Sequence, residues 1–513
     1  MNEKKLYKLK FNNLIIFIDI ILIIFGIYII YKGLINNKLI IALLIDLILF
    51  IFLTYLNILN KKTDFLFTDI RFPLITGYLL YNLYTPILFC LDKSSLLLYP
   101  KVDNQFQQLG YIFSKEDLNK SLFISILFML GLLLSLIFAK KGINNVNNFI
   151  TKNTVSNKSK YYNRKFIYWL SLFIVSFLWY IYPYFKLGIG ALEYGRWFRY
   201  SVLFEDVRES LGVINSILRI FTNSYLVLIS LFQMYICSIR SKKKTIKSVF
   251  IVIFSLYIFF MLFIDIRRRE LLIVILMMIC FYLKVIKEKV NIITLKKQLR
   301  NICLILIVIG SLFFVYQYYK NYFQYGYKNG ISQMMELKRN EHKDEYDKYS
   351  NEFGLVYLVN LSNSKYLKNF LYGKSYFEAF IRPIPILNKT LWTWFQYDKE
   401  DLEADKILKS IYPGMFQMGG GLGYSPSIEA YSNFSYVGCI LMGIIIGGLF
   451  NIIYKKFLNN KYIVYYCIIF SVMFNFSRTS FLGLTEELFW LFSNYLFYQL
   501  IFQLINKKIY SLK

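Results

Sequence analysis

Three consecutive arginines and a glutamate, Arg267, Arg268, Arg269 and Glu270, stand between two apolar stretches of this chain. A guanidinium stays charged and meets phosphate through paired N–H donors. A triplet at the rim of apolar segments therefore asks for a resident anion, and a lipid-linked phosphate is the anion such a position would meet. Arg382, just before Pro383-Ile384-Pro385, and Arg478, inside Asn475-Phe476-Ser477-Arg478-Thr479-Ser480, extend the set. A single interfacial arginine usually snorkels. Five together suit a pyrophosphate clamp.

Carboxylates come next, because transfer to a hydroxyl needs a proton acceptor. Glu429 and Glu270 are the candidates. Glu429 closes a glycine-rich stretch that includes Gly421, Gly423, Ser425, Pro426 and, two residues on, Tyr431. Glycines admit close backbone approach, Ser425 can cap a helix, and Pro426 suits its first turn. The helix N-terminus so formed can bind pyrophosphate through its free N–H groups. Each residue also has a plainer role: the glycines as a hinge, Glu429 as a cap of its own helix, and Glu270 as an ion-pair partner for the triplet. Arg196 and Arg199, set among aromatics in Glu193-Tyr194-Gly195-Arg196-Trp197-Phe198-Arg199, fit either sugar stacking or an interfacial belt. The same choice arises for Trp392, Trp394 and Phe395, where interfacial anchoring is the plainer account.

Other chemistry finds little support. The single histidine, His342, lies in a charged stretch that reads as a solvated helix face. The six cysteines sit in or beside apolar segments, without disulfide-framework or metal spacing. The glycine-rich stretch lacks the Gly-Lys-Ser/Thr ending of a nucleotide loop. No metal or other cofactor is expected. The net charge of +29 would suggest nucleic acid in a soluble chain, but here the cations flank apolar spans and read as topology signals and contacts with membrane lipids.

These residues must be positioned by membrane helices. Hydrophobic residues make up 57% of the chain, mean hydropathy is +0.45, and the apolar runs have the length needed to cross a hydrocarbon core. The pattern predicts an all-α polytopic membrane protein of about twelve spans, near 14–31, 39–59, 72–91, 121–139, 166–185, 213–236, 248–264, 271–286, 301–318, 436–454, 462–481 and 484–505. Basic connections alternate consistently if both termini are cytoplasmic. The basic N-terminus leads into a full-length apolar run, as a retained first span would. This arrangement gives a membrane domain at 1–318, an extracytoplasmic cap at 319–435 and a second membrane segment at 436–513. It also puts the five arginines outside. Gly443 and Gly447 read as close helix packing, and Glu486 and Glu487 as partners of nearby arginines. No internal repeat relates the two halves.

Tyr372-Gly373-Lys374-Ser375-Tyr376, then Arg382-Pro383-Ile384-Pro385, then the stretch from Gly421 to Glu429, Asn433-Phe434 with Gly438, and finally Arg478-Thr479-Ser480-Phe481 occur in an order that resembles the Wzy-type O-antigen and oligosaccharide repeat-unit polymerases. The motifs cover the last third, and the spans with the long penultimate outer loop extend the likeness to the whole topology. The resemblance implies a GT-C-like enzyme of the bacterial cytoplasmic membrane acting at its outer face. Its substrates would be undecaprenyl-pyrophosphate-linked oligosaccharides, with a chain-length regulator and a flippase as expected partners and no nucleotide sugar. An O-antigen ligase shares the carrier chemistry, but that pattern resembles one with a functional outer-loop histidine. A polysaccharide flippase would also hold pyrophosphate, but it needs access from both faces.

Overall fold

The computed structural model describes residues 44–48, 51, 70–83, 115–138, 158–188, 202–212, 215, 222–241, 243–265, 267–286, 360, 367, 370–384, 424–457 and 462–511. Among these residues the fold is helical and contains no strand. In chain order the helices are α1 (Arg71–Tyr78), α2 (Lys115–Phe138), α3 (Lys158–Leu187), α4 (Val202–Glu209), α5 (Ser224–Arg240), α6 (Lys244–Phe263), α7 (Arg268–Ile286), α8 (Lys374–Ile381), α9 (Pro426–Phe457), α10 (Ile463–Phe476) and α11 (Phe481–Ser511). A π-helical turn, Leu79–Leu83, extends α1. The expected spans at 14–31 and 301–318, most of 39–59, and most of the 319–435 cap lie outside the described residues.

Among the described residues four segments are long and apolar enough to cross a membrane: Tyr161–Leu187, Lys244–Phe263, Pro426–Ile453 and Phe481–Asn506. Shorter apolar helices fall at Asn119–Ser135, Ser224–Arg240 and Ile463–Phe476. The long helices leave apolar side chains uncovered in rows. On α9 the row is Val437, Leu441, Ile445, Leu449 and Ile452, and on α6 it includes Val252, Leu256 and Phe259. Near-fourfold spacing puts each row on one helix face, and hydrocarbon is the solvent that accepts such a face.

Two compact units are present. The first comprises Met1–Phe149 and Lys343–Leu488; the second comprises Ile150–His342 and Phe489–Lys513. In the first, α9 packs along α2 at backbone contact. A Cβ on Gly443 would collide with the Phe128 carbonyl and Gly131, and one on Gly447 with Ser135. The helix-packing reading of these two glycines therefore holds. Likewise α10 lies against α1, where Gly77 faces Ser477 and the Tyr466 hydroxyl accepts the Ile70 N–H at 3.1 Å.

The same unit buries a carboxyl within a predicted span. Asp46 is fully buried and accepts the Ser125 hydroxyl at 3.0 Å, and Ser125 shares a 2.6 Å hydrogen bond with Tyr78. An unpaired charge is costly in this setting, and the Ser125 hydroxyl satisfies one of the two carboxyl oxygens.

In the second unit α5 is the central helix. Asn223 caps it by accepting the Leu226 N–H at 2.9 Å, and Leu226, Leu228, Ile229, Leu231, Phe232 and Met234 are all inaccessible. It packs on α3, whose Pro183 falls in the last helical turns. The Tyr168 hydroxyl of α3 donates to the Tyr498 carbonyl at 2.9 Å.

Candidate functional site

The start of α9 follows the local chemistry of its sequence. Pro426 is the first helical residue, and the Ser425 hydroxyl accepts the Ile428 N–H at 3.4 Å. This first helical piece is short. At Phe434 (φ −138°, ψ 22°) and Ser435 (φ 60°, ψ −156°) the backbone leaves helical geometry, and the apolar helix resumes at Tyr436. Positive φ with extended ψ is a region that normally requires glycine and costs about 1–3 kcal/mol elsewhere. Two glycines accommodate the kink. A Cβ on Gly438 would strike Phe434 and the Ala430 carbonyl, and Gly373, at φ 87°, has the Phe434 ring against it.

The piece from 426 to 433 is polar yet buried. Ser427, Glu429, Ser432 and Asn433 are all inaccessible, so each needs internal partners. Glu429 accepts the Ser375 hydroxyl at 2.7 Å through one carboxylate oxygen and the backbone N–H of Phe481 at 2.6 Å through the other. Phe481 is the first residue of α11. Glu429 thus caps a different helix from its own, while Ser480 accepts the Gly483 N–H at 3.3 Å in the same helical turn. Asn433 donates to Ser375 Oγ and to the Glu429 carbonyl, both at 2.8 Å, and accepts the Gly373 N–H at 3.0 Å. Backbone bonds from Leu371 to Ser432 and from Tyr372 to Asn433 complete the junction.

The N-termini of α9 and α11 meet here, because Tyr424 donates its N–H to the Arg478 carbonyl at 2.7 Å. The Arg478 guanidinium donates through Nε to Asn475 at 2.8 Å and lies 5.8 Å from the Tyr81 ring centroid. Asn475 in turn donates to the buried Glu487 at 3.0 Å. Asn475 thus links Arg478 and Glu487. Arg382 forms the C-terminal cap of α8, where a cation complements the helix dipole. Its Nη1 is buried and has no hydrogen-bond partner among the described residues. Packing joins these pieces: Tyr376 stacks on Phe434 at 6.2 Å and meets Phe481 edge-on at 5.6 Å. Burial, with Glu429 nearby, pushes the Tyr376 hydroxyl well above its ordinary range. Tyr431 is buried beside Phe370 and Tyr436, with Lys120 over its ring at 5.4 Å.

The arginine triplet belongs to the second unit. There Asp265, which sequence reasoning missed, is buried and accepts the Tyr184 hydroxyl at 2.7 Å and the Tyr180 hydroxyl. Arg267 Nε pairs with the same carboxylate at 3.0 Å, its Nη1 pairs with Glu270, and its guanidinium lies 5.3 Å from the Tyr180 ring centroid. Arg267 is thus held between two carboxylates of its own chain, Asp265 and Glu270. Arg268 opens α7, and Arg269 is exposed in its first turn. Arg196, Arg199, Gly421, Gly423 and His342 lie outside the described residues. No group of three or more His, Cys, Asp or Glu residues suited to a metal occurs among the described residues.

A family model described as O-antigen polysaccharide polymerase Wzy matches residues 13–509, nearly the whole chain. Neither the curated proteins nor the solved structures compared with it include a match.

Proposed function

This chain belongs to the O-antigen polysaccharide polymerase Wzy family, and we propose that it lengthens glycans by transferring a chain from undecaprenyl pyrophosphate to a sugar hydroxyl of another lipid-linked repeat. The reaction takes place at the outer face of the bacterial cytoplasmic membrane, in a GT-C-like frame of about twelve spans with both termini cytoplasmic. Its product is O-antigen, capsule or a related surface polysaccharide.

The observation that carries the reading is the place of Glu429. Its carboxylate lies between the N-termini of α9 and α11, two bonds fix its direction, and Arg478 stands on the adjoining turn. A carboxylate has four lone-pair sites, so Glu429 retains acceptor capacity beyond those bonds. In transfer, the acceptor oxygen forms a bond to the donor's anomeric carbon and the hydroxyl proton passes to Glu429. The anomeric carbon–oxygen bond to pyrophosphate breaks, and its electron pair leaves with the carrier. Negative charge grows on that leaving group, where arginines and helix N-termini stabilise it. We assign Arg382 and Arg478 to pyrophosphate in the first unit and Arg268 and Arg269 to the same chemistry in the second. Arg267 and Glu270 hold the turn. Gly421, Gly423, Tyr431, Arg196 and Arg199 are assigned to the glycan and its loop.

The test is incubation of the purified protein with a defined undecaprenyl-pyrophosphate repeat unit. A ladder of lengthened lipid-linked products is expected. Movement of the lipid across vesicles without bond formation would instead identify a flippase.

A further inference from the structure

Asn433 is a node whose amide orientation is fixed from two directions. The Gly373 N–H, at 3.0 Å, can only donate and so requires the amide oxygen. The Glu429 carbonyl, at 2.8 Å, can only accept and so requires the amide nitrogen. The second N–H of that nitrogen then points at Ser375 Oγ, also at 2.8 Å. Ser375 has a single proton to give. With Asn433 filling one lone pair, that proton goes to Glu429 Oε1 at 2.7 Å.

The backbone around the node is built to hold it. Ser375 lies in the first turn of α8, behind Tyr372 at φ 46° and Gly373 at φ 87°. Asn433 immediately precedes the non-helical pair Phe434 and Ser435. Both partners sit in helical turns, each beside backbone with positive φ: Tyr372 and Gly373 before Ser375, and Ser435 after Asn433. Held in this way, the hydroxyl gives Glu429 one directed bond, the kind of support that fixes a carboxylate for proton transfer.

We propose that Ser375 is a positioning residue for Glu429 and that Asn433 sets the direction of its hydroxyl, so that Oε1 is held by one directed bond and keeps a lone pair to take the proton. This deepens, and rests on, the reading of Glu429 as the base.

The test uses full-length purified protein and a defined lipid-linked repeat unit, with kcat, KM and the thermal midpoint measured for each variant. Ser375→Ala is expected to lower kcat by about tenfold or more, with KM within about threefold of the parent. Ser375→Thr keeps the hydroxyl and should recover at least about a third of parental kcat. Asn433→Asp preserves shape but replaces the amide donor with a second acceptor for the Ser375 proton, and should lower kcat as Ser375→Ala does. Parental kcat in Ser375→Ala, or Ser375→Thr as slow as Ser375→Ala, would overturn the positioning role. Glu429→Gln separates the two levels: if it is inactive while Ser375→Ala is not, only the positioning inference fails. If Glu429→Gln polymerises at the parental rate, the reading beneath it fails.

Discussion

The carboxylate of Glu429, in the first turn of α9, accepts the backbone N–H of Phe481, the first residue of α11, at 2.6 Å across 52 positions of sequence. One residue thereby joins the two helices that follow the chain's glycine-rich and arginine-bearing motifs. A fixed carboxylate between two positive helix ends is well placed both to take a proton and to lie next to a departing anion.

The kink in α9 makes its own prediction. Ser435 occupies a backbone region suited to glycine, so Ser435→Gly should leave the thermal midpoint unchanged or raise it, by up to about 1–3 kcal/mol in stability. Gly438→Ala should do the opposite. In most helix interiors that change helps by about 1 kcal/mol, but here the new methyl meets Phe434 and the Ala430 carbonyl. Thermal unfolding in detergent would check both. A stabilised Gly438→Ala would show that Phe434 does not pack there.

Asp265 and Arg269 should separate stability from binding. Asp265→Ala strands the Tyr180 and Tyr184 hydroxyls and one side of Arg267, so it should cost about 3–5 kcal/mol and lower protein abundance. Arg269→Gln removes an exposed cation from the first turn of α7 and should leave the thermal midpoint nearly unchanged while weakening undecaprenyl-pyrophosphate binding. Equal loss of stability in the two variants would contradict this division.

Parts of this arrangement were legible in sequence because their causes are local. Ser425 and Pro426 announce a helix start by cap chemistry alone, and Gly443 with Gly447 announces close packing by spacing. The destination of the Glu429 carboxylate was not legible, since nothing near residue 429 specifies a partner 52 positions away. Asn433 carried a signal that was passed over: it stands four residues after Glu429 and so shares its helix face. Asp46 and Asp265 carried another, because an acid within or at the rim of an apolar run is costly enough to need a stated partner. The left-handed Ser435 has no sequence signal, as serine gives no indication of positive φ.

Arg478 provides a test of the phosphate chemistry that does not depend on Glu429. Its Nε is engaged by Asn475, which orients the remaining guanidinium edge. Arg478→Ala should lower turnover by about tenfold to a thousandfold, and Arg478→Lys should rescue poorly because an ammonium cannot reproduce the fork. Arg382→Lys should behave likewise. Polymer of parental length and rate from both Arg478→Ala and Arg382→Ala, at matched protein abundance, would remove these arginines from the site.

Glu429→Gln asks whether Glu429 takes the proton of the attacking hydroxyl. The amide can accept the Phe481 N–H through its oxygen and donate to Ser375 through its nitrogen, so the junction of α9 and α11 should survive. What it cannot do is accept the hydroxyl proton effectively. The decisive measurement is the product ladder from purified Glu429→Gln, with undecaprenyl-pyrophosphate affinity determined on the same preparation. Binding within about threefold of the parent and nearly no polymer are expected; a ladder formed at the parental rate would show that Glu429 is not the base.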